Sequence, residues 1–301
     1  MLRQATNEIK IEGYLSEVDL KYGSYVKNGE TIETVGGSIK VLVEQQINGQ
    51  DVALEVPVYM FSGKYTKNNT INPAYESIEK VMKEFTSIAA AGSKEGADKV
   101  RITKAQLRMN EFFNQNKELV STPRVNASFV SKVVGEFKPQ ATFVLEFMVS
   151  DVHRVVDKDG VELDPAKVEV TAIVPQYGGK VDVCKLYATN PNVINAVEQF
   201  WETGESYRAN GRLNFSSTTQ IVEEEVGFGE AVERVKTTHV SEFVVTGGSQ
   251  EPLEGDFAFS VDEIKEAMVE RKTRLEALKD RSATRQAPAP TSSKGKLDLG
   301  F

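Results

Sequence analysis

The feature of this sequence that most constrains its fold is an order of predicted elements that occurs twice. In residues 8–113, alternating apolar segments typical of β-strands are followed by one amphipathic helix and then by another strand. The pair Asn48-Gly49 joins the second and third strands and is a strong signal for a β-hairpin. Residues 124–215 repeat this order, with strands first, then a short helix, then a returning strand. Two related β units in one chain are therefore predicted.

Three strands, a helix and a returning strand are the order of the OB-fold, a five-stranded Greek-key barrel. We predict a mainly β protein with some α-helix, in which residues 1–120 and 121–246 form two tandem OB-like barrels. Residues 247–281 are predicted to be an acidic extension with one exposed helix, because its apolar residues make a narrow stripe on a charged surface. Residues 282–301 are rich in Ala, Pro, Ser and Thr, which predicts a flexible tail with an apolar tip.

The net charge of −8 is unfavourable for a polyanionic partner, but the acidic residues are unevenly distributed. Residues 221–281 hold 15 acidic and 8 basic side chains, whereas residues 99–140 hold eight basic and three acidic ones. A phosphate group responds to the local field, so a basic surface upstream of residue 221 is compatible with a nucleic-acid partner.

Cationic and aromatic residues occur together on the strands that follow the helices and near the end of the third strand. A protein that binds single strands needs cations for the backbone and aromatic faces on which bases stack. The predicted nucleic-acid-binding residues are Tyr59, Lys64, Arg101, Lys104, Arg108, Phe112, Phe113, Tyr207, Arg208, Arg212 and Phe215.

Structural alternatives remain open for each of these residues. The basic side chains can simply be solvated on the polar face of a strand, and the phenylalanines can pack beneath a loop. Tyr59 and Phe61 alternate with Val58 and Met60, so one of these two pairs belongs to the core.

Three short motifs resemble those of bacterial-type single-stranded DNA-binding proteins. Residues 7–16 resemble the family's first strand, in which an apolar pair precedes Gly-x-Leu. Residues 56–64 resemble its third strand, and residues 204–213 resemble its late strand, which begins at Gly and ends in Gly-Arg-Leu. The resemblance implies an OB-fold protein that binds single-stranded DNA. The two-barrel length implies a phage-encoded or otherwise divergent form.

The last residues of the chain are similar to the C-terminal tip of the same family, which a disordered Pro-rich tether joins to the barrel and which recruits partner proteins. The resemblance implies that a partner-docking tail is formed by Leu297, Asp298, Leu299 and Phe301. Replication or recombination proteins are the partners expected for this tail and for the helix before it.

Motifs of other function classes do not occur in the sequence. It has no phosphate-binding loop, no hydrolase nucleophile motif and no metal-ligand spacing, so we predict no enzyme, no catalytic residue, no metal and no cofactor. Cys184 is the single cysteine, and its place in an alternating strand predicts a buried thiol. The sequence has neither a membrane-spanning apolar run nor a signal-peptide pattern, which predicts a cytoplasmic protein without a membrane partner, in the host cytoplasm if a phage encodes it.

The function predicted from these features is sequence-tolerant binding of single-stranded DNA in replication or recombination, with RNA as an open alternative ligand. A non-catalytic structural or assembly protein, such as a phage virion component, is the second hypothesis. It predicts an exposed apolar patch in place of a cationic, aromatic groove. A third hypothesis is an adaptor that acts through its helix and tail.

Overall fold

The computed structural model describes residues 2–47, 49–224 and 232–284, which form a mainly β protein with a few helices. The elements of the first half are β1 (Asn7–Lys27), β2 (Glu30–Ile47), β3 (Gln50–Gly63), α1 (Pro73–Glu84), α2 (Ile88–Ala91), β4 (Lys99–Phe113), β5 (Leu119–Asn126) and β6 (Ser131–Lys132). Those of the second half are β7 (Gln140–Arg154), β8 (Val168–Pro175), β9 (Val181–Ala188), α3 (Pro191–Phe200), β10 (Ser206–Glu224), β11 (Val232–Gly248), a 3-10 turn (Gly255–Phe257) and α4 (Val261–Thr284).

Five strands of the first half close into a barrel. β1 pairs with β2 and β2 with β3, both antiparallel, and β3 meets β5 in a short parallel contact that pairs Val58 with Val125. β5 pairs with β4, and β4 returns to β1, which closes the ring. α1 lies between β3 and β4 in the chain. This strand order, with the helix in that place, is the topology of the OB-fold.

The second half repeats this topology strand for strand. β7, β8 and β9 are antiparallel neighbours, and β9 meets β11 in a short parallel contact that pairs Leu186 with Phe243. β11 pairs with β10, and β10 returns to β7. α3 lies between β9 and β10, as α1 lies between β3 and β4. The predicted fold class, two tandem OB-like barrels with a C-terminal helix, is confirmed.

The alternating apolar residues that predicted the strands form the two cores. Ile9, Ile11 and Leu15 of β1 are buried in the first barrel, and Val170 and Leu186 are buried in the second. Each such side chain contributes roughly 1.5–3 kcal/mol when it is fully removed from water. Burial of one face of each strand therefore determines which residues lie on the outer face, where a binding site can form.

Both interstrand helices begin with the same cap. The side chain of Asn72 accepts a hydrogen bond from the backbone N–H of Ala74, and Pro73 occupies the first turn of α1. Asn190 and Pro191 do the same for α3. The apolar face of each helix is buried, so each helix packs against its own barrel.

The two barrels belong to one continuous sheet of 11 strands. β1 pairs with β4 of its own barrel and also with β7 of the other barrel, in a register that joins Asn7 to Leu145 and Glu12 to Gln140. Close to this seam, the buried Glu146 of β7 accepts a hydrogen bond of 2.9 Å from Arg3. β1 therefore holds the barrels together through backbone hydrogen bonds.

α4 packs across β4 and β9 and is less exposed than the sequence predicts. Ile264 and Ala267 are buried against the core. Glu111 of β4, whose side chain is 5% exposed, accepts hydrogen bonds from Arg271 and Arg274 of α4. The prediction of an exposed helix needs correction, because apolar contacts and ion pairs dock one face of α4.

The predicted boundary between the barrels after residue 120 falls inside β5. This strand pairs with both β3 and β4, so it completes the first barrel. β6 pairs with β4 as well, so we propose instead that the division lies within residues 133–139. Among the described residues, no helix is both long and apolar enough to cross a membrane.

Candidate nucleic-acid interface

A groove lies on the outer face of the first barrel, where β3, β5 and β4 run side by side. Its volume is about 680 Å³. Its aromatic and polar walls are formed chiefly by Tyr59, Phe61, Lys104, Gln106, Arg124, Asn126 and Phe129. We call it the β3–β5 groove.

Three aromatic rings face the β3–β5 groove. On β3, Val58 and Met60 are buried, so the alternation turns Tyr59 and Phe61 outward and answers the question that the sequence left open. Phe61 is 64% exposed, and Phe129, just after β5, is 56% exposed. Exposed rings gathered in one place are unfavourable in water unless a ligand covers them, so they mark a candidate binding surface.

Two cations accompany the rings. The guanidinium of Arg124 lies 4.3 Å from the centre of the Tyr59 ring. Lys104 on β4 is exposed, and it has no carboxylate partner in the described part of the chain. None of the described residues that line the groove is acidic. The groove is therefore positively charged, although the chain as a whole carries −8.

Gly36 of β2 leaves room for the Phe61 ring, and its neighbour Gly37 leaves room for the backbone of β1. A Cβ atom on Gly36 would lie 2.9 Å from Cδ2 of Phe61, which is closer than real Cβ contacts. Gly37 has a φ of +146°, and a Cβ atom there would lie 2.0 Å from the carbonyl oxygen of Asp19. Both positions therefore require glycine, and no side chain from β2 fills this end of the groove.

Two carboxamides continue the groove from the Tyr59 ring. The parallel contact of β3 with β5 places Asn126 beside Tyr59, and the ladder of β5 with β4 places Gln106 beside Asn126. All three side chains line the groove. Within residues 2–47, 49–224 and 232–284, neither carboxamide has a side-chain hydrogen bond.

Two of the predicted cations are held in ion pairs outside the groove. Arg101 donates hydrogen bonds of 2.7 and 3.1 Å to the buried carboxylate of Glu12 and one of 2.9 Å to the carbonyl of Glu136. The bond from Arg101 also lowers the pKa of Glu12. Lys64 is bound to Glu33. Because both charges are neutralised, we leave Arg101 and Lys64 out of the interface.

Arg108 is a contact between the barrels. It donates a hydrogen bond of 2.5 Å to Oε1 of Gln176 and lies 3.6 Å from the carboxylate of Asp182, both on or next to the strands of the second barrel. Burial raises the pKa of Asp182. The structure thus places Arg108 in the packing of one barrel against the other, away from the groove.

Tyr207 and Phe215 were predicted to stack on bases, and this prediction is corrected. Tyr207 is fully buried, and its hydroxyl donates a hydrogen bond of 2.5 Å to the carbonyl of Phe200. Phe215 is 4% exposed and packs edge-on against Phe243, with 6.1 Å between ring centres. A ring in the core presents no face to a base, so both residues stabilise the second barrel instead.

The remaining predicted residues lie apart from the groove. Arg208 is exposed and Arg212 is partly buried, both on β10 of the second barrel. Phe112, 46% exposed, and Phe113 lie at the far end of β4, where the ammonium of Lys279 is 5.9 Å from the ring of Phe113. Only Tyr59 and Lys104 of the predicted set line the β3–β5 groove.

The predicted set did not include most of the groove. Arg124, Asn126 and Phe129 lie in the predicted second unit, so nothing in the sequence places them beside Tyr59. The alternation of β3 already offered Phe61 as an outward ring. The pairing of β5 with β3, on which the groove depends, links segments more than 60 residues apart.

The other sequence predictions concern residues away from this face. The predicted docking tail, Leu297, Asp298, Leu299 and Phe301, lies outside the described residues. Cys184 is buried, and its burial raises the pKa of the thiol. In the part of the chain that the structure describes, no group of three or more His, Cys, Asp or Glu side chains is placed to hold a metal ion.

The fold and the groove define a class: a protein of two OB-like barrels with a cationic, aromatic groove on the first. The YorF family model matches residues 5–281, and the chain belongs to this family. No curated protein matches it. Among solved structures it is similar to a deletion mutant of the single-stranded DNA-binding protein from Thermus aquaticus, with 12% identity, a TM-score of 0.48, and coverage of 84% of this chain and 97% of that chain.

Proposed function

We propose that this protein binds single-stranded DNA in the β3–β5 groove and does not catalyse a reaction. One observation carries the proposal: three aromatic rings and two cations, Lys104 and Arg124, share a groove whose described lining residues include no acid. Aromatic platforms for bases, combined with cations for the backbone, are the common means by which proteins bind single strands.

The aromatic and the cationic residues of the groove contact different parts of the bound strand. Tyr59, Phe61 and Phe129 offer faces for bases, and each stacked base contributes about 1–3 kcal/mol. Lys104 and Arg124 contact phosphates, and two neutralised phosphates give a slope of about −1.4 for log K against log salt on a single strand. Bases in a duplex are already stacked on each other, so the same rings favour single strands over duplex.

We propose replication or recombination as the setting, in the cytoplasm, or in the host cytoplasm if a phage encodes the chain. The C-terminal helix and residues 297–301 are the proposed contacts with other proteins of these processes. The rival hypothesis of a structural or assembly protein predicted an apolar patch instead of a cationic groove, and the charge of the β3–β5 groove favours nucleic-acid binding over it.

The test is fluorescence anisotropy with a labelled oligo-dT of about 30 nucleotides, titrated at low and high salt against a duplex of equal length. We expect the wild type to prefer the single strand and to lose affinity with salt. Phe61→Ala and Arg124→Ala should weaken binding, and Arg124→Ala should also make the salt slope shallower. An oligo-U of the same length shows whether RNA is bound as well.

Arg212→Ala is the matched control, because it removes one arginine from β10 of the second barrel, which does not line the β3–β5 groove. It should bind like the wild type. Absence of binding at low salt in a folded wild-type protein would sink the proposal and favour the assembly hypothesis. Equal losses in Arg124→Ala and Arg212→Ala would show that binding follows total charge and not the groove.

A further inference from the structure

We infer that the β3–β5 groove reads one base of the bound strand and prefers adenine there, through the carboxamides of Gln106 and Asn126. This inference rests on the proposed function and narrows it. The sequence predicts sequence-tolerant binding, whereas the two carboxamides add a preference at one nucleotide.

The two carboxamides stand in one row with an aromatic platform. Tyr59, Asn126 and Gln106 occupy neighbouring register positions on β3, β5 and β4. Adjacent strands lie about 4.8 Å apart, so the row spans about 10 Å across the groove. Arg124 lies against the Tyr59 ring at 4.3 Å, and both a phenol ring and a guanidinium plane can stack on a base. We expect a base stacked at this end of the row to direct its edge along the two carboxamides.

The carboxamides are available for a ligand. Each offers two N–H donors and a carbonyl acceptor. Asn126 is exposed and Gln106 partly exposed, and neither side chain is hydrogen-bonded to another described residue. The topology of the barrel does not require them. The corresponding register positions of the second barrel, on β11 and β10, hold Val244 and Arg212.

The chemistry of the bases favours adenine. Asn and Gln form two hydrogen bonds with adenine, to the N6 amino group and N7. In a single strand the opposite edge is open too, and there adenine again presents the N6 donor beside an acceptor, N1. The other bases each present a donor beside an acceptor on the pairing edge alone, because on the first of these edges guanine presents two acceptors, O6 and N7, and the pyrimidines lack N7. Adenine therefore matches a carboxamide on both of its open edges.

The experiment compares oligo-dT of about 12 nucleotides with the same oligomer carrying a single dA, dC or dG near its centre. A mostly dT strand avoids the self-stacking of oligo-dA, and the protein can slide to bring the substituted base to the groove. We expect the wild type to bind the dA oligomer at least about fivefold more tightly than oligo-dT. In Gln106→Met and Asn126→Leu, which keep the side-chain bulk, this ratio should fall below about twofold while binding to oligo-dT persists.

Asn110→Leu is the control, because Asn110 lies on the same strand outside the groove. It should keep the wild-type preference. Equal affinity of the wild type for all four oligomers would overturn the inference and leave the proposed function standing. A preference for dA that persists in both groove variants would also overturn it, since other groups would then read the base. Absence of binding to any oligomer would remove the proposed function and the inference together.

Discussion

Tyr59 and Tyr187 occupy the same place in the two barrels. Each lies on the third strand of its barrel, at the short parallel contact with the last strand. Each has a cation over its ring, the guanidinium of Arg124 at 4.3 Å in the first barrel and the ammonium of Lys167 at 4.2 Å in the second. The shared topology thus places a tyrosine ring with a cation over it at the same position in both barrels.

The two places differ in the charge beside the ring. Arg124 lies one residue before Val125, which pairs with Val58. Glu242 lies one residue before Phe243, which pairs with Leu186. Glu242 on β11 therefore has the same register position as Arg124 on β5. Glu242 binds Lys167, so the cation of the second barrel is neutralised. Burial, followed by the nearby carboxylates, raises the pKa of Tyr187. The charged position on the last strand, Arg124 in the first barrel and Glu242 in the second, is therefore one difference between the cationic groove and the corresponding place of the second barrel.

The largest expected effect distinguishes a ring in the core from a ring in the groove. Phe215→Ala removes a buried ring that packs against Phe243 and should lower the free energy of unfolding by about 3–5 kcal/mol. Phe61→Ala removes an exposed ring and should change the unfolding free energy by no more than about 0.5 kcal/mol, while single-strand binding weakens by about 2 kcal/mol. Denaturant unfolding and anisotropy measure the two quantities. Comparable destabilisation by both variants would show that Phe61 is a core ring like Phe215, which would contradict its place in the groove.

The second prediction concerns a variant of the first barrel that carries a carboxylate where the second barrel has Glu242. Arg124→Glu places a carboxylate beside Tyr59, where it can neutralise Lys104 and repel phosphate. We expect single-strand affinity to fall by about 1.5 kcal/mol, roughly tenfold, at low salt. The matched control is Arg212→Glu, the same reversal on the second barrel. A tenfold loss in the control as well would mean that the whole surface, and not the groove, attracts the strand.

The alternation of apolar residues was sufficient to predict the strands of both barrels, although Tyr207 and Phe215 of β10 were placed on the wrong face. It correctly left Val58 and Met60 as a pair on one side of β3, with Tyr59 and Phe61 on the other. It does not show how long β1 and β2 are, since β1 extends to Lys27 and β2 begins at Glu30. The turn is Asn28-Gly29, with φ values of 52° and 82°, and this pair is itself a hairpin signal that the sequence contains.

The partners of the cations could not be predicted from one sequence. Arg101 and its partner Glu12 lie 89 residues apart, and only the register of β1 with β4 brings them together. The same holds for Arg124 and Tyr59, which the parallel contact of β3 with β5 makes neighbours. A basic residue on the outer face of a strand is therefore recognisable from the sequence, whereas its neutralisation depends on pairings between distant segments.

The third prediction concerns a variant that makes the charge beside Tyr187 in the second barrel more like the charge beside Tyr59 in the first. Glu242→Gln keeps a hydrogen-bonding side chain beside Lys167 but removes the charge that neutralises it. The ammonium over Tyr187 then becomes available to a phosphate, and we expect single-strand affinity to rise by about threefold at low salt, with no gain at high salt. Anisotropy at the two salt concentrations measures the change. An unchanged affinity at low salt would show that burial of this face, and not its charge, prevents binding.

The seam between the barrels offers a further comparison, between two buried carboxylates. Glu12 of β1 lies opposite Arg101 of β4, and Glu146 of β7 lies opposite Arg208 of β10. Glu12 is bound by the arginine opposite it. Glu146 is bound instead by Arg3, which leaves the exposed Arg208 out of this ion pair.

The pKa values of these two carboxylates give the prediction with the smallest effect. The hydrogen bond from Arg101 lowers the pKa of Glu12. Burial alone would raise the pKa of Glu146, but the N–H of Thr6 and the guanidinium of Arg3 lower it. A carboxylate whose pKa is lower in the folded than in the unfolded chain stabilises the fold above the unfolded value of about 4.3, and this stability is lost as the pH falls through the folded value.

Glu12→Gln and Glu146→Gln should each reduce the stability that the protein loses below a pH of about 4.5. For Glu12, whose partner Arg101 is partly exposed, this reduction should be less than about 1 kcal/mol. Thermal unfolding followed between neutral and acidic pH measures the slope, and oligo-dT anisotropy at neutral pH should be unchanged in both variants because neither residue lines the groove. An unchanged acid slope in both would show that neither ion pair contributes to the stability of the fold. A gain of oligo-dT binding in Glu12→Gln alone would instead place the strand across the seam, where the released Arg101 would contact it.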